Sequence, residues 1–434
     1  MLRTIHKHSL GQPEIFKQQL LVWSQQFDDV TWLDSNDYKD QYSSFDAVLA
    51  VDAFTSIKTG YLDAFQRLEE YQSSTKDWIF GYLTYDLKNT LEDLKSENFD
   101  GLEFPDLYFF QPKKLFLIKG NAVEIQYLKL VNDEIEGDLK EILNASLNGL
   151  ERSQRQTDDI KIKLRIHKDD YFEKVNNMLA HIQRGDIYEA NFCQEFYAEN
   201  STISPLETFS KLNAISRPPF AAFFKTEDKY LLSASPERYI KKVGHKIISQ
   251  PIKGTAKRSA NKEEDKQLAK DLANDPKERS ENIMIVDLVR NDLSKTAIKG
   301  SVKVEELCKV YSFMQVHQMI STITSKISKS TNPLDVLRTT FPMGSMTGAP
   351  KISAMKIIEE LEETKRGLYS GAVGYFTPEG DFDFNVIIRS ILYNETKKYV
   401  SYSVGSAITS KSNPLKEYEE CLVKAKAMRE VLES

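Results

Sequence analysis

The stretch GAVGYFTPEGDFDFNVIIRSILYNETKKYVSYSVGSAI, at residues 371–408, indicates the fold class of this chain. Its apolar runs predict β-strands at residues 371–377, 384–392 and 399–408. The run of Glu379, Gly380 and Asp381 is typical of a hairpin turn. Because so short a connection joins only antiparallel strands, the stretch predicts an antiparallel sheet.

The same kind of pattern continues upstream. Apolar runs predict further strands at residues 218–225, 229–234, 239–243 and 246–250. Amphipathic patterns predict helices at residues 169–183, 263–273, 278–293, 351–366 and 414–432. Strands that follow one another, with helices grouped apart from them, are typical of an α+β protein and not of a doubly wound parallel sheet. We therefore predict an α+β architecture, in which large antiparallel β-sheets are flanked by helices.

The first part of the chain has a different pattern of apolar runs. Short apolar runs predict strands at residues 45–51, 78–83 and 114–118, with a helix at 55–71. The segment 132–161 is rich in Asp, Glu, Ser, Asn and Gln, as a polar helix or a linker would be. We therefore predict two units, an N-terminal α/β subdomain at residues 1–150 and a second domain at residues 151–434 that carries most of the motif-like segments.

Composition excludes several classes of protein. The 434 residues are 41% hydrophobic and 28% charged, the balance of a globular protein and not of a disordered one. Lys and Arg number 58 against 64 Asp and Glu, so the net charge is −6, and no long basic block is present. This distribution predicts no nucleic-acid partner.

The cysteines and the apolar runs predict the compartment. Cys193, Cys308 and Cys421 are odd in number, far apart and in no CxxC pair, so neither a disulfide framework nor a zinc site is expected. The N-terminus lacks the apolar stretch of a secretion signal. No run of about 18 apolar residues is present, so we expect no membrane segment. These observations predict a reduced, cytoplasmic protein.

Motifs of several common enzyme classes are missing from the sequence. It has no GxxxxGK[ST] phosphate loop, no GxGxxG after a strand, no HExxH and no GxSxG. Apart from His6 and His8, the six histidines are dispersed along the chain. These absences argue against a phosphate-loop nucleotidase, a zinc hydrolase and a serine hydrolase.

Two acidic helix faces are candidates for a metal site. Glu278 and Glu281 are three residues apart on one predicted helix, and Glu417, Glu420 and Lys424 share one face of another. Carboxylates brought together from two helices make an all-oxygen site, which is what Mg²⁺ prefers. The commoner interpretation of such spacing is a solvated helix face, and the spacing alone does not decide between them.

A candidate nucleophile lies in the stretch SQPIKGT, residues 249–255. Lys253 follows a predicted strand and a proline, and precedes Gly254 and Thr255. The glycine lets a ligand approach the backbone, and the threonine adds a hydroxyl. A lysine fixed at such a point acts as a nucleophile when its surroundings lower its pKa. The alternative is an ordinary exposed loop lysine.

Two further segments are suited to binding anions. The stretch FPMGSMTGAPK at residues 341–351 places glycines and hydroxyls ahead of a predicted helix, with Thr347 or Gly348 near its cap. The free amides at such a helix end attract anions, and a plain helix cap is the alternative. Residues 402–408 take a strand into a turn of small residues, whose amides suit a carboxylate. Arg389 is a charge within an apolar strand, so it needs a carboxylate partner, which is either internal or a ligand.

Together these segments resemble the chorismate-utilising enzymes, the family that includes anthranilate synthase, aminodeoxychorismate synthase, isochorismate synthase and salicylate synthase. The resemblance spans about residues 165–432. The matching segments lie at residues 185–191, 235–238, 251–255, 281–292, 316–317, 344–351, 369–375, 388–389 and 417–424. The resemblance implies the chorismate-binding sandwich fold, with chorismate as substrate and Mg²⁺ as cofactor.

The resemblance also implies a role for each candidate residue. Glu281 and Glu420 would ligate Mg²⁺ directly, and Glu278 and Glu417 through water. The metal would hold the ring carboxylate of chorismate. Lys424 and the amides of Gly405, Ser406 and Ala407 would help to bind it. Tyr369 and Arg389 would grip the enolpyruvyl carboxylate. The remaining predicted site residues are Gly254 and Thr255 as lining, Glu237 as general acid/base, and His317 and Ser345 as orienting groups.

Within the family, the motif PIKGT is similar to that of the large subunit of aminodeoxychorismate synthase, whereas anthranilate synthases typically have PIAGT. The similarity implies that Lys253 attacks C2 of chorismate and that ammonia then enters at C4, giving 4-amino-4-deoxychorismate on the route to p-aminobenzoate and folate. Glu189 lies where water-using members carry Lys, which argues against isochorismate and salicylate synthases. An anthranilate synthase and a non-catalytic chorismate-binding homologue remain the alternatives.

The resemblance implies a partner as well. The sequence lacks the Cys-His-Glu arrangement of a glutaminase, and its three cysteines fall inside the synthase-like region. We therefore expect a separate glutamine amidotransferase subunit to supply ammonia.

Overall fold

The computed structural model of the chain describes residues 3–39, 41–147, 160–314 and 316–433. The strands are β1 Arg3–Ser9, β2 Asp29–Asp34, β3 Ala47–Thr59, β4 Ile79–Leu83, β5 Leu107–Lys119, β6 Ala122–Leu128, β7 Lys163–Leu164, β8 Glu189–Ala198, β9 Phe220–Thr226, β10 Lys229–Ser235, β11 Arg238–Val243, β12 Lys246–Gln250, β13 Ile252–Lys257, β14 Lys303–Ser312, β15 Val316–Lys326, β16 Gly348–Ala349, β17 Ala372–Phe376, β18 Phe382–Val386, β19 Ser390–Asn394 and β20 Tyr399–Thr409. The helices are α1 Pro13–Ser24, α2 Ala64–Thr75, α3 Lys88–Leu91, α4 Ile135–Asn144, α5 Lys168–Arg184, α6 Pro205–Ser216, α7 Lys262–Asn274, α8 Pro276–Ser294, α9 Pro333–Thr340, α10 Lys351–Leu361 and α11 Pro414–Glu433.

The strands form one large antiparallel sheet that divides into two limbs. The first limb runs β3–β2–β9–β10–β19–β20–β8. The second runs β5–β4–β17–β18–β11–β12–β15, with β13 and β14 also paired to β15. The long strands β3 and β5 pair with each other and join the limbs. The predicted antiparallel α+β fold, with helices flanking the sheet, is confirmed.

Successive side chains of β3 point alternately into two hydrophobic cores. On β3, Val48 and Ala50 face an aromatic core between the limbs, where Tyr82 of the second limb meets Phe224 of the first at 5.3 Å between ring centroids. Leu49 faces the other side, which α1, α5, α6 and α11 cover. Two-residue periodicity therefore fills both layers from a single strand.

Several element boundaries differ from the prediction. The helix expected at 55–71 is wrong at its start, because β3 continues to Thr59 along β5 and α2 begins only at Ala64. The helix expected at 351–366 ends at Leu361. The strand expected at 384–392 is interrupted between Val386 and Ser390, so Arg389 lies in a break and not at the centre of a strand.

Both candidate anion-binding segments also differ from expectation. Residues 405–407 do not form a turn, since β20 continues through them along β8. Gly348 pairs with Ala190 as part of β16, and the cap position of α10 is Pro350, so Thr347 and Gly348 do not cap that helix. In both places a long-range strand pairing replaces a local turn.

The predicted boundary between residues 150 and 151 lies outside the described residues. Strands on either side of it pair with each other, as β2 does with β9 and β4 with β17. The division into two units stays a prediction.

The three cysteines are buried and form no disulfide. Across the described ranges, no helix combines the length and the apolar character needed to cross a membrane.

Candidate active site

The candidate site lies where the far ends of the two limbs meet. Lys253 stands on β13 beside the end of the second limb, and Glu189 is the first residue of β8 at the end of the first. Their side chains form an ion pair, with 3.1 Å between Lys253 Nζ and Glu189 Oε1. The fold therefore brings together residues that are 64 positions apart in sequence, since 253 minus 189 is 64.

Lys253 is a largely buried cation on β13 and not an exposed loop lysine. Its side chain is 12% exposed and that of Glu189 is 2% exposed. Burial alone would lower the pKa of Lys253, but the carboxylates of Glu189, Glu281 and Glu420 hold it above its usual range. The lysine is therefore an ammonium ion at neutral pH in the absence of substrate.

Gly254 allows this strand to lie against α8. Its φ of +98° falls in the region that favours glycine. A Cβ at this position would lie 3.1 Å from Glu278 Oε2 and 3.2 Å from Met319 Cβ. Both the backbone conformation and the close packing therefore favour glycine at this position. The glycine sets the distance between Lys253 and the acidic face of α8. Thr255, next along β13, is exposed.

The four predicted metal-binding glutamates converge from α8 and α11, around Lys277. The Lys277 ammonium lies 3.7 Å from Glu281 Oε1 and 3.6 Å from Glu417 Oε1. Burial raises the pKa of Glu281 to about 7, against the opposing effect of Lys253 and Lys277. Burial also raises the pKa of Glu278, and Glu420 adds to this effect.

These residues fit a hard cation in their chemistry. All donors are carboxylate oxygens, and the buried Oε1 of Glu281 has no hydrogen-bond partner. As the side chains stand, no group of three or more His, Cys, Asp or Glu in the described part of the chain is arranged to hold a metal ion. The Lys277 ammonium stands between two of the carboxylates, where a cation would reduce their mutual repulsion.

Lys424 joins this cluster to β20. Its ammonium donates to the carbonyl of Gly405 at 2.8 Å and lies 2.6 Å from Glu420 Oε1. Burial would raise the pKa of Glu420, but Lys424 lowers it below its usual value. A Cβ on Gly405 would lie 2.5 Å from Cys193 Sγ, so strand packing requires this glycine. Ser406 and Ala407 continue the same strand, paired with Phe192 and Asn191.

Glu237 has the properties of an acid that is protonated near neutral pH. It is buried in the turn between β10 and β11. Burial raises its pKa to about 7, although the Ser345 hydroxyl and the Lys253 charge oppose the shift. A cavity of about 20 Å³, room for about one water molecule, borders Glu237, Ser249 and Ser345.

Arg389 has no internal carboxylate partner among the described residues, so the internal ion pair considered above is not formed. It adopts a φ of +52°, which is uncommon outside glycine and points to a conformation held by its surroundings. Burial lowers its pKa, and the nearby groups that counter this effect are Tyr369 and Glu420. Tyr369 is itself buried, with its hydroxyl 3.7 Å from Cys193 Sγ. An Arg and a Tyr are thus available to an anionic ligand.

His317 is placed differently from the other candidates. It lies on β15 opposite Ala256 of β13 and is buried. Its Nδ1 lies 2.8 Å from Ser312 Oγ, and its Nε2 lies 3.0 Å from Asp265 Oδ1. Because both ring nitrogens have protein partners, His317 is held as a fixed support behind β13, and an orienting role stays a prediction.

Sequence reasoning missed several buried residues that hold the site together. Asn282 donates to the carbonyls of Lys253 and Met319, each at 3.2 Å, and so clamps β13 and β15 to α8. Glu362 accepts from the Cys193 amide, and Arg366 donates to the Asn191 carbonyl at 2.7 Å. The i, i+4 spacing of Glu362 and Arg366 was visible in the sequence, but their contacts with β8 were not.

Lys351 holds the segment that carries Ser345. Its ammonium reaches Asp292 of α8 and donates to the Pro342 carbonyl at 2.8 Å. Burial lowers the pKa of Lys351. The short helical turn Gly344–Met346, which includes Ser345, is thereby fixed beside Glu237.

The site thus brings a largely buried lysine and a buried acid close to an acidic cluster and to an arginine that has no carboxylate partner among the described residues. The chain matches the family described as "chorismate binding enzyme" over residues 27–430. It belongs to that family and is a chorismate-utilising enzyme.

Its relatives include more than one branch. This chain is 33% identical to "Anthranilate synthase component I-like protein" of Synechocystis sp. over 357 residues, which is 82% of this chain and 72% of that protein. It is 41% identical over 265 residues to "Aminodeoxychorismate synthase component 1" of Salmonella typhimurium, which is 61% of this chain and 58% of that protein. The crystal structure of anthranilate synthase component I from Streptococcus pneumoniae matches with a TM-score of 0.74 at 26% identity, covering 90% of this chain and 95% of that one.

Proposed function

We propose that this chain is the chorismate-binding component of an aminodeoxychorismate synthase, and that Lys253 is its covalent nucleophile. The observation that carries the proposal is the placement of Lys253, which is largely buried, clamped through its carbonyl by Asn282 and paired with Glu189. Its charge lies close enough to the buried Glu237 to oppose the rise in the pKa of that acid, so a candidate nucleophile and a candidate acid stand together. The Salmonella relative has the name of such a component.

The proposed chemistry assigns a task to each group. The amine of Lys253 forms a bond to C2 of chorismate as the C4 hydroxyl departs with a proton from Glu237. Ammonia then bonds to C4, and the bond between C2 and Lys253 breaks. Burial places the pKa of Glu237 near the working pH, which suits an acid that gives up a proton and later regains it.

The two carboxylates of chorismate would be held at opposite sides of the site. Arg389 and Tyr369 would hold the enolpyruvyl carboxylate. Lys424 and the amides of Gly405, Ser406 and Ala407 would face the ring carboxylate. Ser345, Gly254 and Thr255 would shape the remaining wall, and His317 would orient β13 from behind. Mg²⁺ would be held by Glu278, Glu281, Glu417 and Glu420, and when bound it would neutralise these carboxylates and attract the carboxylate of the ring. A glutamine amidotransferase subunit would supply the ammonia.

Product analysis tests the proposal directly. The chain would be incubated with chorismate, Mg²⁺ and a high concentration of ammonium at mildly alkaline pH, and the products followed by mass spectrometry and fluorescence. Aminodeoxychorismate, which retains the enolpyruvyl group, is the expected product. Fluorescent anthranilate with released pyruvate would overturn the proposal.

A second function has specific support. Tyr369 is more typical of anthranilate synthases, and the Synechocystis relative has an anthranilate synthase-like name. In that reaction ammonia would enter at C2 directly, and Lys253 would matter little. A chain that binds chorismate without any turnover would instead be the non-catalytic homologue.

Replacement of Arg389 by Met should weaken chorismate binding without destabilising the fold. A charge-assisted hydrogen bond to a ligand is worth about 1.5–3 kcal/mol, so we expect KM to rise about 10- to 100-fold. The melting temperature should stay level or rise, because no described carboxylate loses its partner. Arg290→Met, which removes an exposed arginine of α8, is the matched control. A large fall in melting temperature with unchanged KM would contradict the ligand role.

Replacement of Lys277 by Met should tighten Mg²⁺ binding. In the unmodified chain an incoming ion has to displace the Lys277 ammonium from between Glu281 and Glu417. Without that competitor we expect affinity to rise about tenfold, or about 1.4 kcal/mol, in calorimetric titrations with Mg²⁺ alone. Lys299→Met, at an exposed position after α8, is the control. Unchanged or weaker binding would show that Lys277 does not compete for this position.

A further inference from the structure

The ion pair between Lys253 and Glu189 raises a chemical question. An ammonium ion has no lone pair, so Lys253 must lose a proton before it can form a bond to carbon. Its pKa lies above the usual lysine range, so at neutral pH very little of this lysine is present as the neutral amine. The proposed function therefore needs a group that takes the proton within the site.

Glu189 is the group that the structure places in reach. In residues 3–39, 41–147, 160–314 and 316–433, no other carboxylate lies within 4.0 Å of Lys253 Nζ. Glu189 Oε2 is buried and has no hydrogen-bond partner, so the carboxylate is not committed to a second structural contact. Nothing else in the described site competes with Lys253 for this side chain.

Both partners are held by their backbones. Glu189 lies between two strands, opposite Ala349 of β16 and Thr409 of β20. A Cβ on Gly348 would lie 2.2 Å from the Glu189 carbonyl, so the neighbouring strand lies very close. Lys253 is fixed by Asn282 on the opposite side. The 3.1 Å contact therefore joins two rigid elements.

We propose that Glu189 is the proton acceptor that turns the Lys253 ammonium into the attacking amine, an inference that rests on the proposed function. The proton passes from Lys253 Nζ to Glu189 Oε1, and this exchange converts two buried charges into two neutral groups. Such an exchange becomes favourable as the bound substrate excludes water, because buried charges are costly and buried neutral groups less so.

The protons balance over the full cycle. The Lys253 lone pair forms the bond to C2, the bond between C4 and oxygen breaks, and the oxygen leaves as water with the proton of Glu237. Ammonia bonds to C4 as the C2–Nζ bond breaks, and its surplus proton restores Glu237. The released amine regains its proton from Glu189. The sum is chorismate plus ammonia giving aminodeoxychorismate plus water.

The first test measures the pair without any substrate. Acetic anhydride labels neutral amines, so the labelling of Lys253 against pH, read by peptide mass spectrometry, reports its titration. In Glu189→Gln we expect the midpoint to fall by about one pH unit, since one unit corresponds to 1.36 kcal/mol of lost charge interaction. Glu199→Gln, which changes an exposed glutamate just after β8, should leave the midpoint unchanged. An unchanged midpoint in Glu189→Gln would overturn the inference, because the pair would not exist in solution.

The second test measures turnover as a ratio. At pH 7 with Mg²⁺ and saturating ammonium, kcat of Glu189→Gln should be about 100-fold below that of the unmodified chain. The ratio should approach one as the pH passes the labelling midpoint of the variant, since solvent then removes the proton. Taking the ratio at each pH cancels the titration of ammonia and that of the other nearby groups, which are Glu237, Glu278, Glu281, Glu420 and Lys277. Glu189→Asp, which retains a carboxylate, should recover part of the loss.

The outcomes distinguish failure of the Glu189 role from failure of the proposed function. A ratio that stays constant with pH would give Glu189 a structural role only, and full turnover of Glu189→Gln at pH 7 would likewise overturn proton transfer. If the unmodified chain yields anthranilate and no adduct on Lys253, the proposed function fails and the role of Glu189 fails with it. That result is recognised from the unmodified chain alone, whereas failure of the Glu189 role leaves aminodeoxychorismate as its product.

Discussion

Lys253→Ala should abolish formation of aminodeoxychorismate, lowering its rate by at least about 10³-fold, the scale seen when a covalent nucleophile is removed. The reason is that the alternative to the covalent route is direct entry of ammonia at C2, which gives a different product. Because the buried Glu189 carboxylate then loses its one charged contact within 4.0 Å in the described chain, the melting temperature should fall, and turnover is compared at a temperature at which the variant is folded. The measurement is product formation from chorismate, Mg²⁺ and ammonium, followed by mass spectrometry.

The matched control is Lys257→Ala on the same strand. Lys257 is exposed and pairs with Val316 through its backbone, so its replacement should leave turnover unchanged. A trace of anthranilate from Lys253→Ala would agree with the proposed role, since the free C2 is then open to ammonia. If Lys253→Ala makes aminodeoxychorismate at the rate of the unmodified chain, the covalent route is excluded. Trapping of a mass adduct on the peptide that contains Lys253 provides independent evidence.

Local sequence patterns predicted a helix or strand well where the buried face of that element alone determines its extent. The strands predicted between residues 218 and 250 and helices α8 and α11 lie close to their predicted positions, because their periodicity follows from one buried face. Strands β8, β13, β14 and β15 were not predicted. The errors arise where distant strands decide. Residues 55–59 extend β3 because β5 pairs with them, and residues 405–407 continue β20 because β8 pairs with them. No local pattern carries that information.

In the candidate site, too, the residues were predicted from local patterns and resemblance, but the contacts between distant elements were not. The four glutamates, Lys253 and Arg389 were recognised from residue type, spacing and family resemblance, and the fold gathers them in one region. The sequence did not predict that Glu189 would pair with Lys253, or that Lys277 would stand between Glu281 and Glu417. These contacts join β8 to β13 and α8 to α11. They depend on how the two limbs meet, which is a property of the whole sheet.

Replacement of Glu237 by Gln should lower kcat by about 10³-fold, within the range usual for loss of a general acid. Gln has nearly the same size and also forms hydrogen bonds, but it cannot give a proton to the departing C4 oxygen. The burial that raises the pKa of Glu237 to about 7 keeps it partly protonated at neutral pH. Its contribution to turnover should therefore be full at low pH and decline as the pH rises through about 7, when measured at a constant concentration of free ammonia.

Stability provides the independent check on this assignment. A carboxyl group whose pKa is raised in the folded state contributes stability below its unfolded pKa, near 4.5, and loses it as the pH rises through about 7. Glu237→Gln removes this pH dependence, so the variant should gain stability relative to the unmodified chain above pH 7, by up to about 3 kcal/mol for a shift of this size. Melting curves at pH 5 and pH 8 measure the difference. A variant that is slower and also less stable at pH 8 would indicate that Glu237 is an ionised structural carboxylate, whereas a slower and more stable one supports the acid.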